Sequence, residues 1–185
     1  MVLVTVCAGY RQYEGKFLPE IAELHGKDVH ETALDIIRDS KNNVSACYFT
    51  MCEEDVRTVI AHPRTMICTD SGVAYGKTVF HPRLKASFPR ALGRYVRESN
   101  TVSLTEMIRK MTSMPAFVYS LETKGVLRAG MDADICIFDA EKIIDRSVYT
   151  DADKRAEGLN YVILGGEVVV EDAVFNGKRM GKVIF

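Results

Sequence analysis

Two short apolar runs, "VSACYF" (Val44 to Phe49) and "TMIC" (Thr65 to Cys68), flank one amphipathic stretch, "CEEDVRTVIAHP". An uninterrupted apolar run reads as a strand covered on both faces, the habit of parallel sheets. Acids crowd the first turn of the stretch between them and a proline follows its end, so it reads as a helix. Strand, helix and strand at this spacing predict a βαβ unit, because parallel strands need such a crossover. No other feature limits the architecture as tightly.

The remaining segments fit around that unit. "VLVTV" (Val2 to Val6) reads as a strand by its β-branched content. "FLPEIAELHG" reads as a helix stopped by Gly26, and "VHETALDIIRDS" places Val29, Ala33, Ile36 and Ile37 on one helical face. Three further helices are predicted in "FPRALGRYVRES", "SLTEMIRKMT" and "MPAFVYSL". The second opens with a capping box, Ser103 and Glu106 serving each other's backbone N–H groups. The third has Thr112 or Ser113 as a cap and Pro115 in its first turn, where proline is tolerated.

From about Thr123 the character changes. "ADICIFD" reads as a strand, and "LNYVILGGEVVVEDAVFNGKRMGKVIF" places Gly165-Gly166 and Asn176-Gly177 between β-rich runs, as in a hairpin or small meander. The fold class is therefore α/β, with an all-β C-terminal part. The boundary falls near Leu121 to Gly125, giving domains 1–121 and 122–185.

Charge and cysteine usage exclude several classes. The 24 basic and 25 acidic residues leave a net charge of −1, so no strong basic face is available for nucleic acid or an anionic membrane. No apolar run is long enough to span a bilayer, and "MVLVTVCAGY" lacks the cationic start of a signal peptide. Cys7, Cys47, Cys52, Cys68 and Cys136 are scattered, with no CxxC pair, and four of them lie in apolar runs as small hydrophobes. The expected compartment is a reducing cytoplasm.

Chemistry is expected where "TMIC" ends. In parallel α/β architectures ligands sit beyond the carboxyl ends of strands, and Asp70 follows this one in "MICTDSGVAYGKTVFHPR". Its loop passes Gly72 and Gly76 to His81-Pro82-Arg83. A carboxylate there serves as general base or metal ligand, and an arginine holds an anion bidentately. The same residues also fit a plainer account, in which Asp70 caps a turn and Arg83 makes a surface ion pair. His25, His30 and His62 read as structural or solvated, and no HxH or HExxH pattern marks a metal site. Glu53, Glu54 and Asp55 suit the first turn of a helix. Met107, Met111 and Met114 read as core filler at helical spacing.

Beyond these patterns, "GVLRAGMDADICIFD", preceded by "TSMPA", is similar to the segment that closes barrels of the amidohydrolase superfamily and enters a small β-sandwich. "YEGKFLPEIAELHGKD", "MCEEDVRTVIAHPRTMICTDSG" and "HPRLKASFPRALGRYVRE" resemble, more narrowly, the N-acyl-D-amino-acid deacylases, or D-aminoacylases. The resemblance runs over essentially the whole chain. It implies the last βα units of a TIM barrel over 1–121, followed by C-terminal strands of the sandwich over 122–185. Asp70 would be the proton-transfer residue and would touch a second, weak metal position. Arg83 would pair with the substrate's α-carboxylate, and His81 would shape the loop beside it. Thr69-Asp70-Ser71 stands where the family usually has Ser-Asp-Gly.

The resemblance also implies zinc as cofactor, with its main ligands on earlier barrel strands that this chain does not contain. The expected partners are an N-acyl-D-amino acid substrate and the missing N-terminal barrel portion, or a second copy in self-association. Two alternatives stand beside the deacylase reading. One is a non-catalytic interaction or oligomerisation fragment. The other is an amidohydrolase of a cyclic amide, resembling dihydropyrimidinases, against which the arginine of the HPR loop argues.

Overall fold

The computed structural model describes residues 1–71 and 81–184, so the loop glycines Gly72 and Gly76 lie outside the described residues. The chain forms two compact units. Of the described residues, one comprises 1–52, 81–82 and 148–153, and the other 53–71, 83–147 and 154–184. The division expected from the sequence, 1–121 and 122–185, is of another kind.

In the first unit, strand β1 (Val2–Cys7) pairs antiparallel with β2 (Val44–Tyr48), Val2 opposite Tyr48 and Cys7 opposite Val44. Helices α1 (Leu18–His25) and α2 (Val29–Asp39) lie between them in sequence. Gly26, at φ 60°, ends α1 in the left-handed region that glycine enters without steric cost. Asp28 then caps α2, its carboxylate accepting from His30 N at 2.7 Å. The apolar stripes of both helices meet the strand pair, and Val4, Cys7, Ile21 and Ile36 form a small core.

The second unit opens with α3 (Glu53–Ala61) and continues with α4 (Arg83–Arg90), which passes into a π-helix over Ala91–Glu98. Pro89 has no N–H to give the preceding turn, and the widening of the helix follows directly after it. Helices α5 (Leu104–Met111) and α6 (Ser113–Val118) come next. Strands β3 (Ile135–Phe138), β4 (Leu159–Leu164), β5 (Glu167–Glu171) and β6 (Val174–Phe175) then form an antiparallel meander in chain order. Ala91, Leu92, Tyr95, Val102, Met107 and Ile143 make the core of this unit, with Ile60, Ile67 and Phe138 packed on it. Backbones approach closely at Gly93, where a Cβ would lie 2.6 Å from Ile143 O. Arg90 and Arg94 meet the buried carboxylate of Asp145 at 3.1 and 3.3 Å, tying the helical layer to the segment that follows β3.

The helices appear where the apolar spacing placed them, and the C-terminal meander where its turn residues did. The βαβ expectation is corrected. Val44–Tyr48 is a strand, but its partner is β1, antiparallel, and neither of its faces is fully buried. Thr65–Cys68 is irregular and half-exposed. A strand buried on both faces needs neighbours at both edges, and among the described residues nothing pairs with this one. The cysteine expectation changes too. Only Cys7 is buried, Cys47 is half-buried, and Cys52, Cys68 and Cys136 are exposed. The capping box of α5 is half made. Ser103 Oγ accepts from Glu106 N at 3.2 Å, whereas the Glu106 carboxylate turns to Arg109.

Candidate functional site

Asp70 stands three residues beyond Ile67, the last side chain of its segment packed on the core of the second unit. Its own backbone sits at φ 45°, in the left-handed region that non-glycine residues seldom occupy. Short polar side chains tolerate that region best, so an aspartate is among the few residues that suit this turn. The carboxyl group points to solvent, its side chain 80% exposed.

Arg83, the first residue of α4, reaches it: Nη1 lies 3.2 Å from Asp70 Oδ2. The structure thus brings together two of the three residues singled out in the sequence, although twelve residues separate them in the chain. An N···O contact between exposed groups stabilises by at most about 1 kcal/mol. A ligand that offers Arg83 a carboxylate or Asp70 a proton competes with it. The plainer sequence account, a surface ion pair at Arg83, describes the same contact with no ligand present.

His81 belongs to the first unit and has a setting of its own. Its ring meets Tyr149 edge-on with centroids 5.1 Å apart, and Tyr149 in turn packs on Phe49 at 4.9 Å. Phe17 extends the row at 5.9 Å from Phe49. Rings at these separations and tilts attract each other through their quadrupoles as well as by burial. The other histidines have structural partners. His25 Nε2 lies 2.7 Å from Tyr13 Oη, His30 Nδ1 3.1 Å from Asp28 Oδ1, and His62 Nδ1 accepts from Arg64 N at 3.3 Å.

Sequence reasoning missed two contributors. Tyr149 sits in an unremarkable polar stretch and gave no signal. Lys110 did give one. It lies three residues after Met107 on the apolar face of α5, and the structure buries its side chain completely.

The electrostatics nearby are those of paired groups. Glu106 is held below the usual carboxylate range by hydrogen bonds from Arg109, at 2.8 and 2.7 Å. Burial pushes the Tyr95 phenol up, and the Glu53 carboxylate adds to that shift.

Among the described residues, no three side chains of His, Cys, Asp and Glu come together as a metal site. Asp70 supplies one carboxylate, and a tetrahedral zinc site takes about four ligands. The described residues therefore do not make up a metal-binding set.

Comparison with known proteins adds a family frame. Residues 28–170 match the amidohydrolase family. The chain is 31% identical over 182 residues to a D-aminoacylase of Alcaligenes xylosoxydans xylosoxydans, spanning 98% of this chain and 36% of that protein. A solved D-aminoacylase, whose binuclear metal centre has been studied, superposes with a TM-score of 0.88 at 32% identity, over 98% of this chain and 37% of its own. N-acyl-D-glutamate deacylase from Bordetella bronchiseptica, solved with zinc and a phosphonate mimic of the tetrahedral intermediate, gives 0.81 at 30% identity, over 91% and 34%. The chain spans about a third of the length of the relatives it matches.

Proposed function

The chain belongs to the amidohydrolase family, and on that premise we propose that it is the C-terminal portion of an N-acyl-D-amino-acid deacylase, a hydrolase of linear amide C–N bonds with no appreciable activity alone. The observation that carries this reading is the Asp70–Arg83 pair, an exposed carboxylate and guanidinium 3.2 Å apart. One can handle a proton and the other an α-carboxylate. Similarity to D-aminoacylase across 98% of the chain supports the substrate class. Residues 1–121 then contain the closing part of a TIM barrel, the antiparallel β1–β2 pair standing apart from its parallel strands, and 122–185 are the last part of a β-sandwich. The missing N-terminal barrel portion, or a second copy, is the partner. No helix among the described residues is long and apolar enough to cross a membrane, and the cytoplasm is the proposed location.

Arg83 orients the substrate by taking its α-carboxylate, a charge-assisted contact that becomes geometrically specific when bidentate. The substrate carboxylate replaces Asp70 in that contact and frees the aspartate. Asp70 accepts a proton from the water that attacks the acyl carbonyl, so the C–O bond forms as the proton leaves. It then delivers that proton to the amide nitrogen as the C–N bond breaks, releasing carboxylate and free D-amino acid. His81, two residues before Arg83 in the chain, shapes the loop that leads to it. A zinc ion, when bound, would polarise the carbonyl and acidify water; its main ligands would come from outside this chain, and Asp70 would serve only a second, weak position.

The test is to join the chain to the rest of its coding sequence and assay N-acetyl-D-amino acids with added zinc. Turnover in the complete enzyme, with none in the 185-residue chain alone, is the expected result. Hydrolysis of a cyclic amide in preference to the linear one would overturn the substrate class. Tight stoichiometric zinc in the isolated chain would overturn its incompleteness.

A further inference from the structure

We propose that Lys110 is a positioning residue for Asp70, its buried ammonium gathering the turn that closes α3 and fixing the backbone that runs on to the carboxylate. This rests on the reading of Asp70 as the proton-transfer group.

The segment from His62 to Ser71 belongs to no sheet or helix. Besides the Asp70–Arg83 pair and a bond from Thr65 Oγ1 to Val59 O at 2.8 Å, its ties to the rest of the second unit come from the last turn of α5. Lys110 Nζ donates to His62 O, and to Thr65 O and Thr65 Oγ1 at 3.1 Å each. Arg109 Nη2 donates to Pro63 O at 2.9 Å, and Ile67 N donates to Lys110 O at 3.3 Å. Two consecutive residues thus hold backbone atoms of His62, Pro63, Thr65 and Ile67. Beyond Ile67 the chain needs only three residues to reach Asp70.

The chemistry explains why a lysine stands there. Its side chain is fully buried, against the core residue Met107 on the same helix, and burial pulls the ammonium pKa down with Glu106 opposing from 3.8 Å. An apolar residue of like volume would fill such a place at lower desolvation cost. Methionine cannot, however, draw oxygens of one turn to a single point. An ammonium has three donors and no acceptor, which matches the three oxygens found. One of those oxygens, His62 O, directly follows the last residue of α3, where the helix dipole favours a cation. The lysine therefore does for this irregular segment what a neighbouring strand would do for a regular one.

The experiment uses the complete enzyme, with Lys110→Met and Thr65→Val. The first conserves volume and removes the buried charge outright, and the second removes one acceptor of that charge together with the hydroxyl's own bonds to Val59 O and His62 O. In Lys110→Met, kcat falls by about 10- to 100-fold while KM stays within about two-fold, because small misplacements of a catalytic group are costly. Hydrogen exchange accelerates at Thr65 and Ile67 but not in β4 and β5. Thr65→Val shifts both readouts less and in the same direction. Unchanged kcat with unchanged exchange at Thr65 and Ile67 overturns the proposal, as does exchange that rises equally across β4 and β5. If Lys110→Met does not accumulate folded, the Thr65→Val readouts decide by the same criteria. Asp70→Asn runs alongside. Full rate in that variant would remove the premise, while the exchange data would still show whether Lys110 holds the segment.

Discussion

Thr65–Cys68 and Ile135–Phe138 look alike in the sequence, each an apolar run of four with an aspartate at or near its end. Only the second is a strand. Ile135 pairs with Ile163 and Phe138 with Leu159 on β4, so its backbone groups are met within the chain. Thr65–Cys68 has no such neighbour among the described residues and takes its order from the side chains and backbone of α5. The two aspartates diverge accordingly. Asp139 is spent on its own turn, Oδ1 accepting from Glu141 N at 2.9 Å and the main-chain oxygen from Ile143 N at 2.8 Å. Among the described residues no backbone group binds the Asp70 carboxylate, which meets Arg83 and solvent. An acid after an apolar run becomes structural when the run is locally paired, and stays available when it is not.

This contrast can be broken most sharply by removing each acid in turn. In the complete enzyme Asp70→Asn lowers kcat by roughly 10²- to 10⁴-fold, the span expected for loss of general acid–base catalysis. Asp139→Ala, which removes the acceptor of Glu141 N, leaves kcat within about two-fold and lowers the melting temperature instead. Steady-state kinetics and thermal melts on both variants check it, and full rate in Asp70→Asn would sink the assignment. Arg83→Gln should act on binding, raising KM for an N-acetyl-D-amino acid about 10- to 100-fold, as expected when a charged hydrogen-bond partner is lost. A KM unchanged from wild type would remove Arg83 from the substrate.

The paired region can be attacked through its turns. At Gly158 φ is 76°, and a Cβ would lie 2.5 Å from Ile143 N. Gly158→Ala therefore combines overpacking with an unfavourable backbone and costs about 2–4 kcal/mol. Gly93→Ala, 2.6 Å from Ile143 O, costs about 1–3 kcal/mol by overpacking alone. Urea midpoints measure both, and wild-type midpoints would contradict the close approach.

The smallest effect is electrostatic. Hydrogen bonds from Lys124 hold Asp132 and Asp134 below the usual carboxylate value of 3.8, and those bonds raise Lys124 above 10.5. Depressed acids contribute stability above pH 3.8 that is lost as pH falls through their folded pKa values. The raised lysine contributes below pH 10.5, and its share is lost as pH rises through its folded pKa. Lys124→Met should accordingly lower stability across neutral pH and flatten the acid limb below about pH 4. An unaltered slope in urea midpoints against pH would show that the three groups are not coupled.

Much of this was legible in the residues. Gly26 ended α1, and Ser103 capped α5. Gly165-Gly166 turned β4 into β5, because each of these features acts within a few residues of itself. The pairing of Val44–Tyr48 was misread for want of range. Its apolar run says that the strand is covered, and nothing in it says whether by β1 or by a strand after the next helix. The burial of Lys110 was half legible, as a position on the apolar face of α5 without the acceptors that justify it.

The sequence by itself determined the helices, the C-terminal turns, the family and the identity of the candidate acid. These follow from local periodicity, backbone preference and a motif read in order. Only the tertiary structure decided that Asp70 meets Arg83, that β2 pairs with β1, and that Lys110 gathers His62 and Thr65. Each joins groups far apart in the chain or buries a charge against distant oxygens, and the free energy of such contacts exists only once the intervening chain has folded.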